Sequence, residues 1–477
     1  MNRIRKENEL LFTSIVEQIQ QEYQAQGLGI MIVDKSGEIQ YETYFGYRDS
    51  DRKLPIDQDT IFGIASCTKS FTCLAIMQMQ QEGKLCVDDP VSNYIPEFTN
   101  KNQTEPVRIR HLMCHSGGFF PLPRIVVDQV AEELGLDEAR DGDLAYHDGL
   151  AQEGVRRVAA RLDAQTMEHG LNGRPGEYFS YCNDGFGLLS DIIRRFGGEA
   201  SFADYLNRHV LEPLQMTRSG CDFVKPSVDE NAAILYEKRS GVMRGHRDYH
   251  DNAFVLNGGG AMKSTLDDLR KYLCMYLNGG VGLNGKRILD EYSVREMSKP
   301  HQRSGFQSYY GYGFSLKTMD DLNIVEHGGS LPGVSSNIAW SNEAGAAVIV
   351  LCNTSDVPVS LISDAAMRMY CGRNPISVRG MWQTEPWSVE TVRKACGMYV
   401  SGEGTMVQLY QKEDGAIGMR LEGKDQNILT VNPTDAIIRR KMTDGYLRLC
   451  MRGGEVFAIA YGSRMIPKAG VCEVTDC

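Results

Sequence analysis

Long apolar runs are scarce in this chain of 477 residues. The longest, Ala344 to Cys352, is broken by a glycine and is far too short to cross a bilayer as a helix. Cysteine pairs are missing as well. The 13 cysteines are scattered from Cys67 to Cys477, with no Cys-x-x-Cys and no Cys/His group at zinc spacing. This excludes a disulfide framework and a zinc site, and it fits buried thiols in a reducing compartment. Cys67 and Cys182 are read the same way, as packing residues. The net charge is −11 and the basic residues are dispersed, so nucleic acid is not an expected partner. No Gly-x-Ser-x-Gly elbow occurs, which argues against an α/β-hydrolase. Near the start, Leu10, Leu11, Phe12, Ile15, Val16 and Ile19 are interrupted by Glu9 and Glu17. That is an amphipathic helix, not a secretory apolar segment. A cytoplasmic location with no membrane partner, no metal and no cofactor is the expectation.

What is present is a serine and a lysine three positions apart, Ser66-Cys67-Thr68-Lys69. They open an apolar-periodic stretch (Phe71, Leu74, Ala75, Met77, Met79) that ends at Gly83. The pattern predicts a helix with a glycine stop. Residues i and i+3 share a helix face, so the hydroxyl and the amine can exchange a proton. A helix N-terminus at Ser66 favours developing negative charge. Together these features describe an activated nucleophile. A second copy of the spacing, Ser50 to Lys53, lies in a charged turn before Pro55 with no helix behind it.

Ahead of this stretch, Gly29–Asp34 and Ile39–Gly46 are expected as a hairpin. Behind it, Arg108 to Gly118 reads as a helix closed by a glycine cap. Residues from about 119 to 173 read as an inserted helical subdomain or lid. Its Glu132, Glu133, Asp137, Glu138 and Asp141 read as a solvated helix face. Leu256 to Thr265 is a glycine-rich turn, and Thr265 with Asp268 is an N-cap pattern that starts another helix. Tyr309 to Leu316 reads as one strand, followed by antiparallel strands at Ile324–Gly329, Ser335–Trp340 and Ala346–Cys352. Strands at both ends with helices between them predict an α+β sandwich, an antiparallel sheet flanked by helices. Beyond Arg373–Trp387 the texture changes to short strands (Gly397–Leu409, Ala416–Leu421, Ile428–Val431, Ala436–Met442, Tyr446–Met451, Val456–Tyr461) separated by turns. That predicts a C-terminal all-β, barrel-like domain. The expected division is residues 1–375, a linker at 376–387, and 388–477.

Tyr-x-Asn occurs three times. The copies at Tyr205 and Tyr276 sit inside apolar-periodic helices, whereas Tyr181-Cys182-Asn183 stands in a loop after Pro175-Gly176. Loops commonly present functional side chains. His327-Gly328-Gly329 puts a polar side chain on a strand, followed by glycines that would let a substrate backbone approach closely.

In their order, Ser66-Cys67-Thr68-Lys69, Tyr181-Cys182-Asn183 and His327-Gly328-Gly329 resemble the motifs of the penicillin-recognising serine hydrolases. That superfamily holds serine β-lactamases, D,D-peptidases, D-aminopeptidases and related esterases. Tyr-x-Asn, His115-Ser116-Gly117-Gly118 and the stretch Gly259–Leu269 look like its class C β-lactamase-like branch. The resemblance covers about residues 10–370 and implies a β-lactamase/transpeptidase-like fold.

The resemblance makes Ser66 the nucleophile, Lys69 the group that takes or relays its proton, and Tyr181 a general base or acid. Asn183 is implied as a partner of the substrate amide or of Lys69, and His327 is counted with the catalytic set. The N–H groups of Ser66 and Ser330 are implied as the oxyanion hole, and Gly328 and Gly329 as substrate-binding. His327 stands where many relatives carry Lys-Thr-Gly. Losing that fixed cation and hydroxyl, with no export signal in the sequence, argues against a true β-lactamase. The β-domain resembles a lipocalin-like appendage that in some relatives reaches the active site or mediates homo-oligomers. The implied activity is hydrolysis, through an acyl-enzyme, of a small peptide-like amide or ester. The alternatives are acyl transfer from the same intermediate, and a catalytically inactive binding or filament-forming homologue.

Overall fold

The computed structural model describes residues 4–99, 101–122, 127–136, 148–165, 172–221, 224–249, 256–376, 382–442 and 444–469. Helix α1 (Lys6–Tyr23) buries Phe12, Val16 and Ile19, a spacing that keeps one stripe on the core. Strands β1 (Gly27–Asp34) and β2 (Ile39–Gly46) form the expected hairpin. Helix α2 (Thr68–Gln81) is buried nearly all round, from Thr68 to Met79. A helix without a wet face belongs at the centre of a domain, and α2 is the centre of this one. Helix α3 (Ile109–Met113) precedes the His115 turn, and α4 (Val127–Glu133) and α5 (Asp148–Ala164) are described within the helical insertion. Glu133 pairs with Arg157 at 2.5 Å, consistent with a solvated face; Asp137, Glu138 and Asp141 lie outside the described residues. Helix α6 (Asn183–Phe196) follows the Tyr181 loop.

Two expectations change in the next stretch. The glycine-rich segment forms a single helical turn, α7 (Leu256–Gly260), because it must pass against α6. A Cβ at Gly258 would stand 2.4 Å from the Phe186 carbonyl oxygen. Helix α8 (Leu266–Leu277) then starts at the expected cap, with Thr265 Oγ1 accepting from Asp268 N–H at 3.1 Å. The run Tyr309–Leu316 is two strands, not one. After β3 (Gln302–Arg303) come β4 (Ser308–Tyr310) and β5 (Ser315–Met319), joined by a turn in which Gly313 has φ 74°. Gly313 packs against the Lys69 carbonyl, so the chain bends there around the base of α2.

Strands β6 (Leu322–Leu331), β7 (Val334–Ser341) and β8 (Ala346–Cys352) complete an eight-stranded antiparallel sheet in the order β2-β1-β8-β7-β6-β5-β4-β3. The distant N-terminal hairpin pairs with β8, as Leu28 opposite Cys352 to Asp34 opposite Ala346. One sheet face packs on α2 and the helical region. The other packs on α1 and α9 (Val359–Tyr370). Among the described residues, no helix is long and apolar enough to cross a membrane, and every cysteine is a free thiol.

The C-terminal strands are β9 (Gly397–Val400), β10 (Met406–Gln411), β11 (Ile417–Leu421), β12 (Lys424–Thr430), β13 (Asp435–Arg439), β14 (Asp444–Arg452), β15 (Glu455–Tyr461) and β16 (Arg464–Pro467). They pair in sequence order, and a Tyr399–Lys468 bridge nearly closes the barrel. The stretch Gly397–Leu409 is thus two strands, divided by a turn at Gly404, whose φ is 95°. The barrel interior is filled by side chains such as Tyr399, Leu409, Met419 and Ile438, with Val392 of helix α10 (Val389–Ala395) among them. Its outer face meets the rest of the molecule through a small apolar cluster of Phe120, Cys450, Ala458 and Met465.

Candidate active site

Ser66 lies in a 3-10 turn (Ala65–Cys67) that runs straight into α2. The residue before it, Ala65, has φ 46°, the left-handed region that a non-glycine residue adopts at a cost. Two hydrogen bonds hold that turn. Ser336 Oγ on β7 donates to the Ile64 carbonyl at 2.8 Å, and Thr68 Oγ1 donates to the Ala65 carbonyl at 2.6 Å.

One helical turn on, the Lys69 amine lies 3.0 Å from Ser66 Oγ and donates to the Gly259 carbonyl at 2.7 Å. Lys69 is fully buried, and among the described residues no carboxylate pairs with it. Burial, reinforced by the Arg464 guanidinium, drives its proton affinity well below that of an ordinary lysine. Burial therefore favours the free amine beside the hydroxyl.

Tyr181 closes the third side. Burial raises the proton affinity of its phenol, the nearby Ser66 hydroxyl opposing it in part, so the protonated form is favoured. The Lys69 amine stands 4.8 Å from the centre of its ring. Asn183 opens α6, and its Oδ1 is buried with no partner. No hydrogen bond joins it to Lys69, whose hydrogen-bond partners are Ser66 and Gly259.

His327 sits on β6 and is buried. Its Nδ1 lies 2.6 Å from the Gly328 carbonyl and its Nε2 lies 2.8 Å from the Tyr310 hydroxyl. A carbonyl can only accept, so Nδ1 carries the proton and Nε2 accepts from the tyrosine. Burial, then the nearness of Lys69, lowers the ring to about 3. His327 is thus a neutral wall of the site with both nitrogens engaged.

The two glycines after it differ. A Cβ on Gly329 would fall 2.2 Å from the Ile64 carbonyl and 3.1 Å from Ala65 Cβ, whereas one on Gly328 would meet nothing closer than 3.7 Å. The clearance at Gly329 is therefore used by the serine turn, not left for a substrate. Beyond Glu326, β6 pairs with β7 alone and its other edge is open. The register closes the β6–β7 turn at Leu331 and Val334, which turns the N–H groups of Gly328 and Ser330 toward that open edge.

Four participants were given no role in the sequence reading. Tyr310 was hidden in a tyrosine-rich run. The Gly259 carbonyl is main chain and leaves no side-chain signature. Arg464 comes from the barrel: its guanidinium lies 4.4 Å from the centre of the Tyr181 ring and pairs with Glu403 at 2.8 Å. The Tyr181 N–H donates to the Ser463 carbonyl at 2.9 Å, and the Met465 N–H donates to Ser180 Oγ at 3.2 Å, so the β15–β16 hairpin is stitched to the Tyr181 loop. The fourth is His115, whose ring lies 4.0 Å from that of Tyr181. With His111 it forms a His-x-x-x-His spacing that the motif reading passes over. His111 Nδ1 instead accepts from Arg108 N–H at 3.1 Å, and among the described residues no group of three or more metal-ligating side chains occurs. Cys67 is a packing thiol, buried, raised to about 12, with its Sγ 3.1 Å from the His327 carbonyl.

A buried amine against a serine at the head of a central helix, under an antiparallel sheet, defines a class: the penicillin-recognising serine hydrolases. The chain belongs to the Beta-lactamase family, whose model matches residues 12–368. It is 26% identical over 357 residues to Protein flp of Staphylococcus aureus strain MW2, covering 74% of this chain and 64% of that protein. The match thus spans less than two thirds of that relative's length. Among solved structures, the octameric penicillin-binding protein homologue from Pyrococcus abyssi superposes with a TM-score of 0.64 at 24% identity, covering 96% of this chain and 99% of that one. The D-amino acid amidase from Ochrobactrum anthropi SV3, complexed with L-phenylalanine amide, gives 0.55 at 23% identity over 73% of this chain and 92% of its own.

Proposed function

We propose that this protein is a serine hydrolase that works through an acyl-enzyme on a small peptide-like amide or ester, of D-aminopeptidase, D,D-peptidase or esterase type. The observation that carries the reading is the buried Lys69 amine, 3.0 Å from Ser66 Oγ with no carboxylate partner among the described residues. Burial disfavours the charged forms of Lys69 and Tyr181 alike. For the lysine that leaves the free amine, a base. For the tyrosine it leaves the phenol, an acid. The sequence left these roles open, and this asymmetry favours Lys69 as the acylation base.

In this scheme Lys69 takes the Ser66 proton as Oγ attacks the substrate carbonyl carbon. The N–H groups of Ser66 and Ser330 hold the oxyanion. Tyr181 then protonates the departing amine or alkoxide as the carbonyl–leaving-group bond breaks, and recovers its proton from Lys69. Water repeats the sequence on the Ser66 ester and releases the acid. Asn183, with its free Oδ1, and the Gly328 side of β6 contact the acyl portion. The D-amino acid amidase among the structural neighbours supports an amide substrate, and the octameric neighbour supports self-association.

The test is intact-protein mass spectrometry after exposure to a fluorophosphonate, with the adduct mapped by peptide digestion. A single adduct on Ser66, lost in Ser66→Ala and strongly slowed in Lys69→Ala, is the expected result. Turnover of D-amino acid p-nitroanilides and p-nitrophenyl esters then divides amidase from esterase. No adduct on well-folded protein overturns the reading in favour of a binding homologue.

A further inference from the structure

His115 lies just past the end of α3, in left-handed backbone at φ 57°. Its carbonyl accepts from the Ser180 N–H at 2.9 Å, and its Nδ1 accepts from the Cys182 N–H at 3.1 Å. Its ring lies 4.0 Å from the Tyr181 ring at an interplanar angle of 30°. One side chain and its own carbonyl therefore hold the residue before Tyr181, the residue after it, and the phenol ring between them. Because Nδ1 accepts, the proton sits on Nε2. That nitrogen is buried with no hydrogen-bond partner, walled by Phe179, Phe186 and Tyr310. A side chain present only to fill space would incur neither a left-handed backbone nor an unpaired buried donor. Phenylalanine would pack among these rings without the second. Burial and the nearby Lys69 keep the imidazole neutral, so that Nδ1 remains an acceptor.

We infer that His115 is a positioning residue for Tyr181, fixing the phenol against Ser66 by gripping the main chain on both sides of it and stacking on its ring. The inference rests on the reading of Tyr181 as the acid that protonates the leaving group. His115 acts only through that tyrosine and touches neither Ser66 nor substrate.

The consequence is a dependence on the leaving group. Phenolate needs a proton from Tyr181 more than p-nitrophenolate does, so a misplaced Tyr181 penalises phenyl esters more. Phenyl butyrate and p-nitrophenyl butyrate are compared in the wild type, His115→Phe, His115→Asn, Tyr181→Phe and the double variant His115→Phe/Tyr181→Phe. His115→Phe keeps a ring and loses the acceptor; His115→Asn keeps an acceptor in a residue that tolerates the left-handed backbone.

The expected result is a kcat loss of about 10-fold for His115→Phe on phenyl butyrate, a smaller loss on the nitrophenyl ester and little change in KM. Partial recovery in His115→Asn, and less than about a 2-fold further loss when His115→Phe is added to Tyr181→Phe, complete the pattern. Equal losses on both esters, or losses that simply multiply in the double variant, overturn the inference, because a general packing defect acts that way. Fluorophosphonate labelling of the wild type separates the two ideas. If Ser66 is not labelled, the hydrolase reading falls and this inference with it. If Ser66 is labelled and the losses multiply, only the role of His115 falls.

Discussion

The two faces of the eight-stranded sheet each hide a lysine, and the two are opposites. Lys69, on the α2 face, is fully buried and keeps company with a hydroxyl and a carbonyl. Lys317, on the α9 face, has a side chain 25% exposed and lies 2.8 Å from both Glu326 and Asp364. Burial lowers the proton affinity of the first; the two carboxylates raise that of the second despite burial. Glu326 and His327 are neighbours on β6 and point to opposite faces, so one strand contributes to both sites. Covering a lysine does not make it reactive. At Lys69 the cover comes without a carboxylate, beside Ser66, and the proton affinity falls.

Matched substitutions test this contrast. Lys69→Met keeps an unbranched chain of similar shape. Ser66 labelling and ester turnover should fall by about 10²–10⁴-fold while the thermal midpoint stays within about 4 °C of wild type. Lys317→Met should do the reverse. It leaves Glu326 and Asp364 facing each other, costs about 3 kcal/mol in urea unfolding, and leaves the rate per folded molecule unchanged. A large loss of activity in Lys317→Met at full folding would end the comparison.

Gly329→Ala should destabilise the protein by about 2 kcal/mol and slow labelling, since its Cβ collides with the Ile64 carbonyl. Arg464→Glu gives Lys69 a neighbour of the kind Lys317 has. Arg464 depresses the proton affinity of Lys69, so replacing it with an acid raises that affinity and makes the free amine scarcer at a given pH. The acid limb of the kcat/KM profile should then move to higher pH, and a shift to lower pH would contradict the assignment of Lys69 as base. Smallest of all, Gly328→Ala should change stability by less than about 0.5 kcal/mol, because ordinary contact distances surround it.

Much of the site was legible in the sequence because its chemistry is concentrated in three short motifs at element boundaries. Ser66 precedes a helix, Asn183 opens another, and His327 is the first residue of β6 beyond its pairing with β5. Periodicity located the helices and strands that carry them. What stayed hidden has other causes. The Gly259 carbonyl is main chain, and any residue would supply one. Gly313 and Gly404 break apolar stretches that read as single strands, and a lone glycine inside such a pattern does not announce a turn. His327 is counted with the catalytic set by resemblance, but the occupation of both its nitrogens, by Tyr310 and Gly328, depends on pairing in the sheet. Arg464 reads as an ordinary hairpin charge; its place beside Tyr181 depends on how the barrel packs against the sheet domain.

The bond from the Tyr181 N–H to the Ser463 carbonyl also imposes an order on the life of the molecule. A ribosome adds residues from the N-terminus at about 5–20 per second, so Ser66, Lys69 and Tyr181 exist for seconds before Ser463 and Arg464 do. During that interval the serine has its lysine but not the barrel hairpin that braces its tyrosine. Completion of the site is thus a late event in biosynthesis, and the barrel's closing hairpin acts as its final fitting.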